Sequence, residues 1–152
     1  MIESLNILIL DDEREIVELL KQWLEARGHW VKGETNPILA LRALTRTPYD
    51  LVLLDLLMPN ANGLRLISEI LSLQPNAAVV IVSAIVDPHL AVVAIQEGGV
   101  MCLEKPVNVT DLDRVLQFIQ QRKALLIPKN VRHVREIQAA VSGRHCANMN
   151  RR

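Results

Sequence analysis

Leu51-Val52-Leu53-Leu54-Asp55-Leu56-Leu57-Met58-Pro59 decides how this chain is read. Four aliphatic residues in a row have the length and character of a buried strand, and a carboxylate closes the run. An ionised carboxylate beside buried β-structure loses hydration, so it needs a cation, a metal or a reaction to take part in. Outward from this segment, three more apolar runs end in polar residues. Ile7-Leu8-Ile9-Leu10 leads into Asp11-Asp12, Val79-Val80-Ile81-Val82 into Ser83, and Val100-Met101-Cys102-Leu103-Glu104 into Lys105. If the strands are parallel, all four polar ends meet at one edge of a sheet.

The intervening segments supply the reason to expect parallel strands. Strands are expected over Leu5–Leu10, His29–Gly33, Leu51–Leu54, Ala78–Ser83 and Val100–Leu103, and they alternate with five helical patterns. The second strand has only Trp30 and Val31 as strong β-formers. In the first helix Ile16, Leu19, Leu20, Trp23 and Leu24 recur three and four apart, and the pattern stops at Gly28. A second helix follows Pro37 through Leu39, Leu41 and Leu44, and a third runs from Leu64 to Pro75. Asp87-Pro88 reads as an N-cap with proline in the first turn of a fourth helix ending at Gly98-Gly99, and Thr110 or Asp111 starts a fifth. Strands alternating with helices of this length imply a parallel sheet covered on both faces, a three-layer (βα)5 α/β sandwich. In such sheets ligands bind outside the carboxyl ends of the strands.

The totals allow one domain and a tail. The chain has 152 residues, 50% of them hydrophobic, enough for a single core. Acidic and basic side chains balance at 17 each, yet residues 1–125 hold 11 basic and 16 acidic groups and residues 126–152 hold 6 and 1, so the net charges are 11 − 16 = −5 and 6 − 1 = +5. The domain body is therefore assigned to 1–125 and a basic tail to 126–152, where Val131, Val134, Ile137 and Val141 trace an apolar stripe that suggests a short amphipathic helix. That stripe calls for a cover: the body's own surface, a second copy in a homodimer, or another partner. Export is not expected, because the first strand follows within a few residues that include acidic Glu3, and the longest nearly apolar stretch, Ala77–Val86, is about half of the roughly 20 residues a membrane span requires. Cys102 and Cys146 form no disulfide or metal pattern and are expected as free thiols in a cytoplasmic protein. With few aromatic residues and no recognised motif in the tail, direct nucleic-acid binding is not expected.

Taken singly, the polar strand ends have ordinary explanations. Asp12 with Glu15 three positions later reads as a capping box, a lone aspartate at a strand end as a turn residue, and a lone Lys-Pro as a loop. Cys102 reads as core filler, Trp23 and Trp30 as packing residues, and the four histidines show no metal spacing. Together, however, the strand ends make a chemistry. Adjacent carboxylates on one strand and a third on another form an oxygen-rich pocket suited to Mg²⁺. With its charge offset, one carboxylate can attack phosphorus, and a lysine and a hydroxyl can neutralise the phosphoryl oxygens.

On these residues the chain resembles the receiver domain of two-component response regulators over residues 5 to about 125. The resemblance rests on Asp11-Asp12, on Asp55-Leu56-Leu57-Met58-Pro59 with Gly63, on Ser83-Ala84 and on Lys105-Pro106. It implies the flavodoxin-like sheet order 2-1-3-4-5. By the same resemblance Asp55 is the phosphoacceptor, assisted by Lys105 and Ser83. Asp12 and Asp55 bind Mg²⁺ directly, Asp11 binds it through water, and the backbone carbonyl of Leu57 adds a ligand. Pro106 becomes a cis-peptide candidate. The implied partners are a sensor histidine kinase or phosphotransfer protein, and downstream a protein partner or an output domain.

Two features depart from or qualify the pattern. Receivers commonly carry Tyr or Phe three residues before the lysine, as the aromatic half of a switch whose other half is the Ser or Thr; here that residue is Cys102. Leu57 and Ile85, two residues after Asp55 and Ser83, offer no side chain to orient water, which leads to an expectation of slow self-hydrolysis of the acyl phosphate. A Mg²⁺-dependent phosphatase with an aspartyl nucleophile is the competing enzyme reading, but such enzymes usually place a second acid where Leu57 stands. A phosphorylation-independent pseudo-receiver is the third, and the intact acidic pair and lysine weigh against it. The preferred reading is a switch that catalyses its own modification and is not a turnover enzyme.

Overall fold

The structure, a computed structural model, describes residues 3–59 and 61–125. Five strands, β1 (Asn6–Leu10), β2 (Trp30–Glu34), β3 (Leu51–Asp55), β4 (Ala78–Ser83) and β5 (Met101–Glu104), alternate with five helices, α1 (Arg14–Glu25), α2 (Pro37–Leu44), α3 (Gly63–Leu73), α4 (Pro88–Gln96) and α5 (Val109–Leu125). All strand pairs are parallel, and the sheet order is β2-β1-β3-β4-β5. The expected sandwich and the order carried by the resemblance are both present.

Side-chain alternation along the strands divides the core into two layers. Ile7 and Ile9 of β1 face one side with Leu51 and Leu53 of β3, and pack against Val17, Leu20 and Leu24 of α1 and Leu112, Val115, Leu116 and Ile119 of α5. Leu8, Leu10, Val52 and Leu54 face the other side, against Ala40, Ala43 and Leu44 of α2, Leu66, Ile67 and Ile70 of α3 and Ala94 of α4. Each fully buried aliphatic side chain contributes about 1.5–3 kcal/mol. Because β3 and β4 are buried along their whole length, their sequences read as continuous apolar runs, whereas the edge strand β2 is half exposed.

Edge position also corrects one expectation. Trp30 is 75% exposed at the start of β2 and is not a packing residue, while Trp23 lies against the α1/α5 layer with the Arg27 guanidinium 3.2 Å from its ring centroid. Two helix starts differ as well. The Asp12–Glu15 box does not form: Glu13 is the N-cap of α1, and its side chain makes no capping bond. In α5 the cap is Asn108, whose Oδ1 accepts from the Asp111 N–H at 2.8 Å, so neither Thr110 nor Asp111 plays that part. Asp87 caps α4 as expected, accepting from the Leu90 N–H at 2.7 Å, with Pro88 in the first turn.

Long-range polar contacts tie the edge of the sheet opposite the polar strand ends. Gln74 Nε2 donates to the carbonyls of Leu44 (2.8 Å) and Thr47 (2.6 Å), and its Oε1 accepts from the Tyr49 N–H (2.7 Å). His29, buried, accepts the Leu5 N–H on Nδ1 at 3.1 Å. Burial, reinforced by the charge of Arg27, holds its pKa below the ordinary 6.5. Among the described residues no helix is long and apolar enough to cross a membrane. The expected tail helix, its stripe and Cys146 lie outside the described residues, and the expected division at 125/126 falls at their limit.

Candidate functional site

Strand register brings the polar ends together. Leu10 of β1 is paired with Leu54 of β3, so Asp11 and Asp55, each the next residue, emerge side by side. Asp55 is level with Val82 of β4, and Ser83 with Glu104 of β5, which sets Ser83 and Lys105 progressively beyond it along the same edge. Asp11 and Asp55 are each only 3% exposed, while Asp12 is exposed. Carboxylate oxygens of Asp11, Asp12 and Asp55 lie within 4.8 Å of one another.

Lys105 crosses this cluster from the far side. Its Nζ lies 2.7 Å from Asp11 Oδ2, 3.3 Å from Asp55 Oδ2 and 3.3 Å from Glu13 Oε1. The Lys105–Pro106 peptide is cis. The other oxygens of the two buried carboxylates are held by backbone: Asp11 Oδ1 accepts from the Glu13 N–H at 2.9 Å, and Asp55 Oδ1 from the Leu57 N–H at 3.0 Å. Both buried carboxylates are thus fixed by a short local loop and a distant cation.

The electrostatics follow from burial opposed by pairing. Burial is the main cause that raises the Asp55 pKa above its ordinary value, with the neighbouring Asp11 charge adding to it; the Leu57 N–H and Lys105 act against the rise. Burial also acts on Lys105, in the lowering direction, but its hydrogen bonds and charge contacts with Asp11 and Asp55 prevail and push it up to about 12. Lys105 is therefore a permanent cation at neutral pH. Burial alone pushes the Cys102 thiol up to about 11, so this residue is an inert packing group against the α2/α3/α4 layer.

The remaining residues mark the rim. Ser83 is fully buried, and its hydroxyl donates to the Ile85 carbonyl at 3.1 Å and accepts from the Ile85 N–H at 3.4 Å. Leu57 and Ile85 are 48% and 62% exposed. Gly63, at the start of α3, packs against the Leu56 backbone so closely that a Cβ there would stand 2.6 Å from Leu56 Cα. Three carboxylates with converging oxygens, one of them open to solvent, form a hard donor set that fits a divalent cation retaining part of its water.

A family model for the response regulator receiver domain matches residues 7–117. The chain belongs to this family. Among curated relatives, the CpxR homolog of Haemophilus influenzae, a transcriptional regulatory protein, is 35% identical over 119 residues, covering 78% of this chain and 52% of that protein. DctD of Rhizobium meliloti, a C4-dicarboxylate transport transcriptional regulatory protein, is 30% identical over 140 residues, covering 91% of this chain and 30% of that one. The chain spans about half or less of the length of these relatives. Among solved structures, a response regulator receiver domain from Clostridium thermocellum superimposes with a TM-score of 0.75 at 33% identity, covering 81% of this chain and 99% of that one. A response regulator from Burkholderia pseudomallei, solved with a phosphorylated aspartic acid, a calcium ion and citrate, gives 0.70 at 25% identity over 95% of this chain and 93% of that one.

Within this receiver domain the sequence-selected residues Asp11, Asp12, Asp55 and Lys105 come together, and Ser83 stands on the same edge with its hydroxyl turned to Ile85. Glu13 was missed. It follows two other acidic residues, and nothing in that spacing distinguishes the carboxylate that meets a lysine 92 positions away.

Proposed function

We propose that Asp55 accepts a phosphoryl group from the phosphohistidine of a sensor kinase or phosphotransfer protein, and that the modified domain switches partner binding. The observation that carries this is the nearly buried Asp55 carboxylate held against the one ammonium of Lys105, beside Asp11 and Asp12. A buried carboxylate has no structural need for two further acids, but one that must meet an incoming dianion needs the divalent cation that those acids would hold.

In this reading an Asp55 oxygen attacks phosphorus, the P–N bond to the donor imidazole breaks, and the imidazole nitrogen keeps the electron pair and takes up a proton. Lys105 trades carboxylate contacts for a phosphoryl oxygen. Ser83 reaches the same group by releasing the Ile85 carbonyl. Asp11, Asp12 and Asp55, with the backbone carbonyl of Leu57, would hold Mg²⁺, which supplies charge neutralisation when bound. Support for the chemistry comes from the Burkholderia relative, which carries a phosphorylated aspartic acid and a cation.

The output belongs to the surface of α4, β5 and α5. With Cys102 in place of a ring, the signal runs through the loop after Ser83 into α4 and does not depend on an aromatic swing. The relatives are transcriptional regulators, so a joined or separate output partner in the cytoplasm, and a homodimer of the modified form, are the natural consequences to look for.

Incubation with acetyl phosphate and Mg²⁺, followed by intact mass measurement, tests the proposal. The native chain gains one phosphoryl group, and Asp55→Ala gains none. An equal gain in both, or none in the native chain, overturns it.

A further inference from the structure

Two sets of carboxylates overlap at the edge of the sheet without coinciding. Asp11, Asp12 and Asp55 have the oxygens that converge within 4.8 Å. Asp11, Glu13 and Asp55 are the acids that contact Lys105 Nζ. Glu13 belongs to the lysine's set and not to the converging set. A divalent charge among the converging oxygens would repel an ammonium 2.7 Å from Asp11, because the same two buried carboxylates would then serve two cations.

Glu13 is built to receive that ammonium. Its backbone N–H is committed to Asp11 Oδ1 at 2.9 Å, which fixes its place at the head of α1. Its side chain stands at the N-cap yet makes no capping bond, and its Oε1 lies 3.3 Å from Lys105 Nζ. It is also the exposed member of the lysine's set, with 61% of its side chain open against 4% and 3% for Asp11 and Asp55. Moving toward Glu13 thus carries Lys105 from the interior to the mouth of the pocket, where an incoming phosphoryl group arrives.

We propose that Glu13 is the positioning carboxylate of Lys105: it retains the ammonium at the mouth of the site when a divalent cation takes over Asp11 and Asp55. This deepens the proposed function and rests on it. Glu13 meets the converging set only through its backbone N–H on Asp11, and its carboxylate lies outside that set, so the effect of the side chain is exerted through Lys105.

The test is a thermodynamic cycle on Mg²⁺ binding in the full chain, followed residue by residue from amide NMR shifts. Glu13→Gln in the native background raises the Mg²⁺ dissociation constant about three-fold, whereas in a Lys105→Met background it changes it by less than about 1.5-fold. An equal loss in both backgrounds overturns the proposal, since Glu13 then acts only as one more negative charge. Should Lys105→Met fail to fold, the Lys105 side-chain nitrogen and Cε signals in Glu13→Gln alone decide. At saturating Mg²⁺ the native Lys105 keeps signals distinct from those of solvent-exposed lysines, and the variant merges with them; native-like signals in the variant overturn the proposal. Loss of all Mg²⁺ response in the native chain overturns both this role and the proposed function, while an intact response without coupling overturns this role alone.

Discussion

Lys105 Nζ stands 2.7 Å from Asp11 Oδ2, nearer than the 3.3 Å that separates it from Asp55 Oδ2. The lysine is therefore anchored chiefly on a residue other than the candidate phosphoacceptor. Asp55 thus meets the ammonium at the longer distance and is not closed off behind a tight ion pair.

Burial gives Asp55 a pH-dependent cost. Its folded pKa lies above the ordinary 3.8, mainly through burial. The folded state thus favours the protonated form: that contribution is present below about 3.8 and is lost as pH rises through the folded value. Asp55→Asn removes the cost and leaves the Asp11–Lys105 contact in place. Without divalent cations it should melt higher than the native chain at pH 7, with the gap narrowing toward pH 4. Thermal scans across that range check both the sign and the trend.

Gln74 bridges three backbone groups that precede β3, at 2.6–2.8 Å. Gln74→Ala loses all three bonds, and at about 0.5–1.5 kcal/mol each, reduced by partial exposure, should cost about 2 kcal/mol. Urea denaturation measures it; a loss near zero would mean that water serves the three groups equally well.

Gly63 cannot accept a side chain. An added Cβ would stand 2.6 Å from Leu56 Cα and 2.7 Å from its carbonyl oxygen, both backbone atoms. Gly63→Ala should destabilise by about 1–3 kcal/mol and shift the Leu57 amide resonance, because Leu57 follows the displaced residue and donates to Asp55. Denaturation and amide NMR read the two effects separately.

Leu57 and Ile85 expose aliphatic side chains beside the site and cannot orient a hydrolytic water. Given the proposed phosphorylation, the acyl phosphate should decay slowly in purified protein. Replacing both residues with polar ones should speed its loss by about ten-fold, within the range that a positioned proton acceptor supplies. Loss followed by mass measurement decides, and an unchanged rate in the double variant would refute the assignment.

How much of this was legible depends on the range of the interactions. The central strands were plain because β3 and β4 bury both faces, so apolar composition alone marks them. The strand-end acids and lysine were legible because each interrupts such a run. Trp30 misled because an edge strand leaves one side open, and composition does not say which strand lies at the edge. Helix starts failed where several capping residues are adjacent: the choice between Asp12 and Glu13, or between Asn108 and Thr110, turns on one residue of backbone geometry. Glu13 and Gln74 escaped because their partners are distant in the chain, Lys105 for the one and the segment 44–49 for the other.

The Ser83 hydroxyl is closed on the backbone of Ile85 by one bond given and one long bond received. Such a clasp is weak enough for a single competing anion to undo. Between Ser83 and the Asp87 cap of α4 lie only three residues, too little slack to absorb a displacement. In the proposed function, opening the clasp would pull on the head of that helix, and an event at one oxygen atom would become a change of shape on the molecule's exterior.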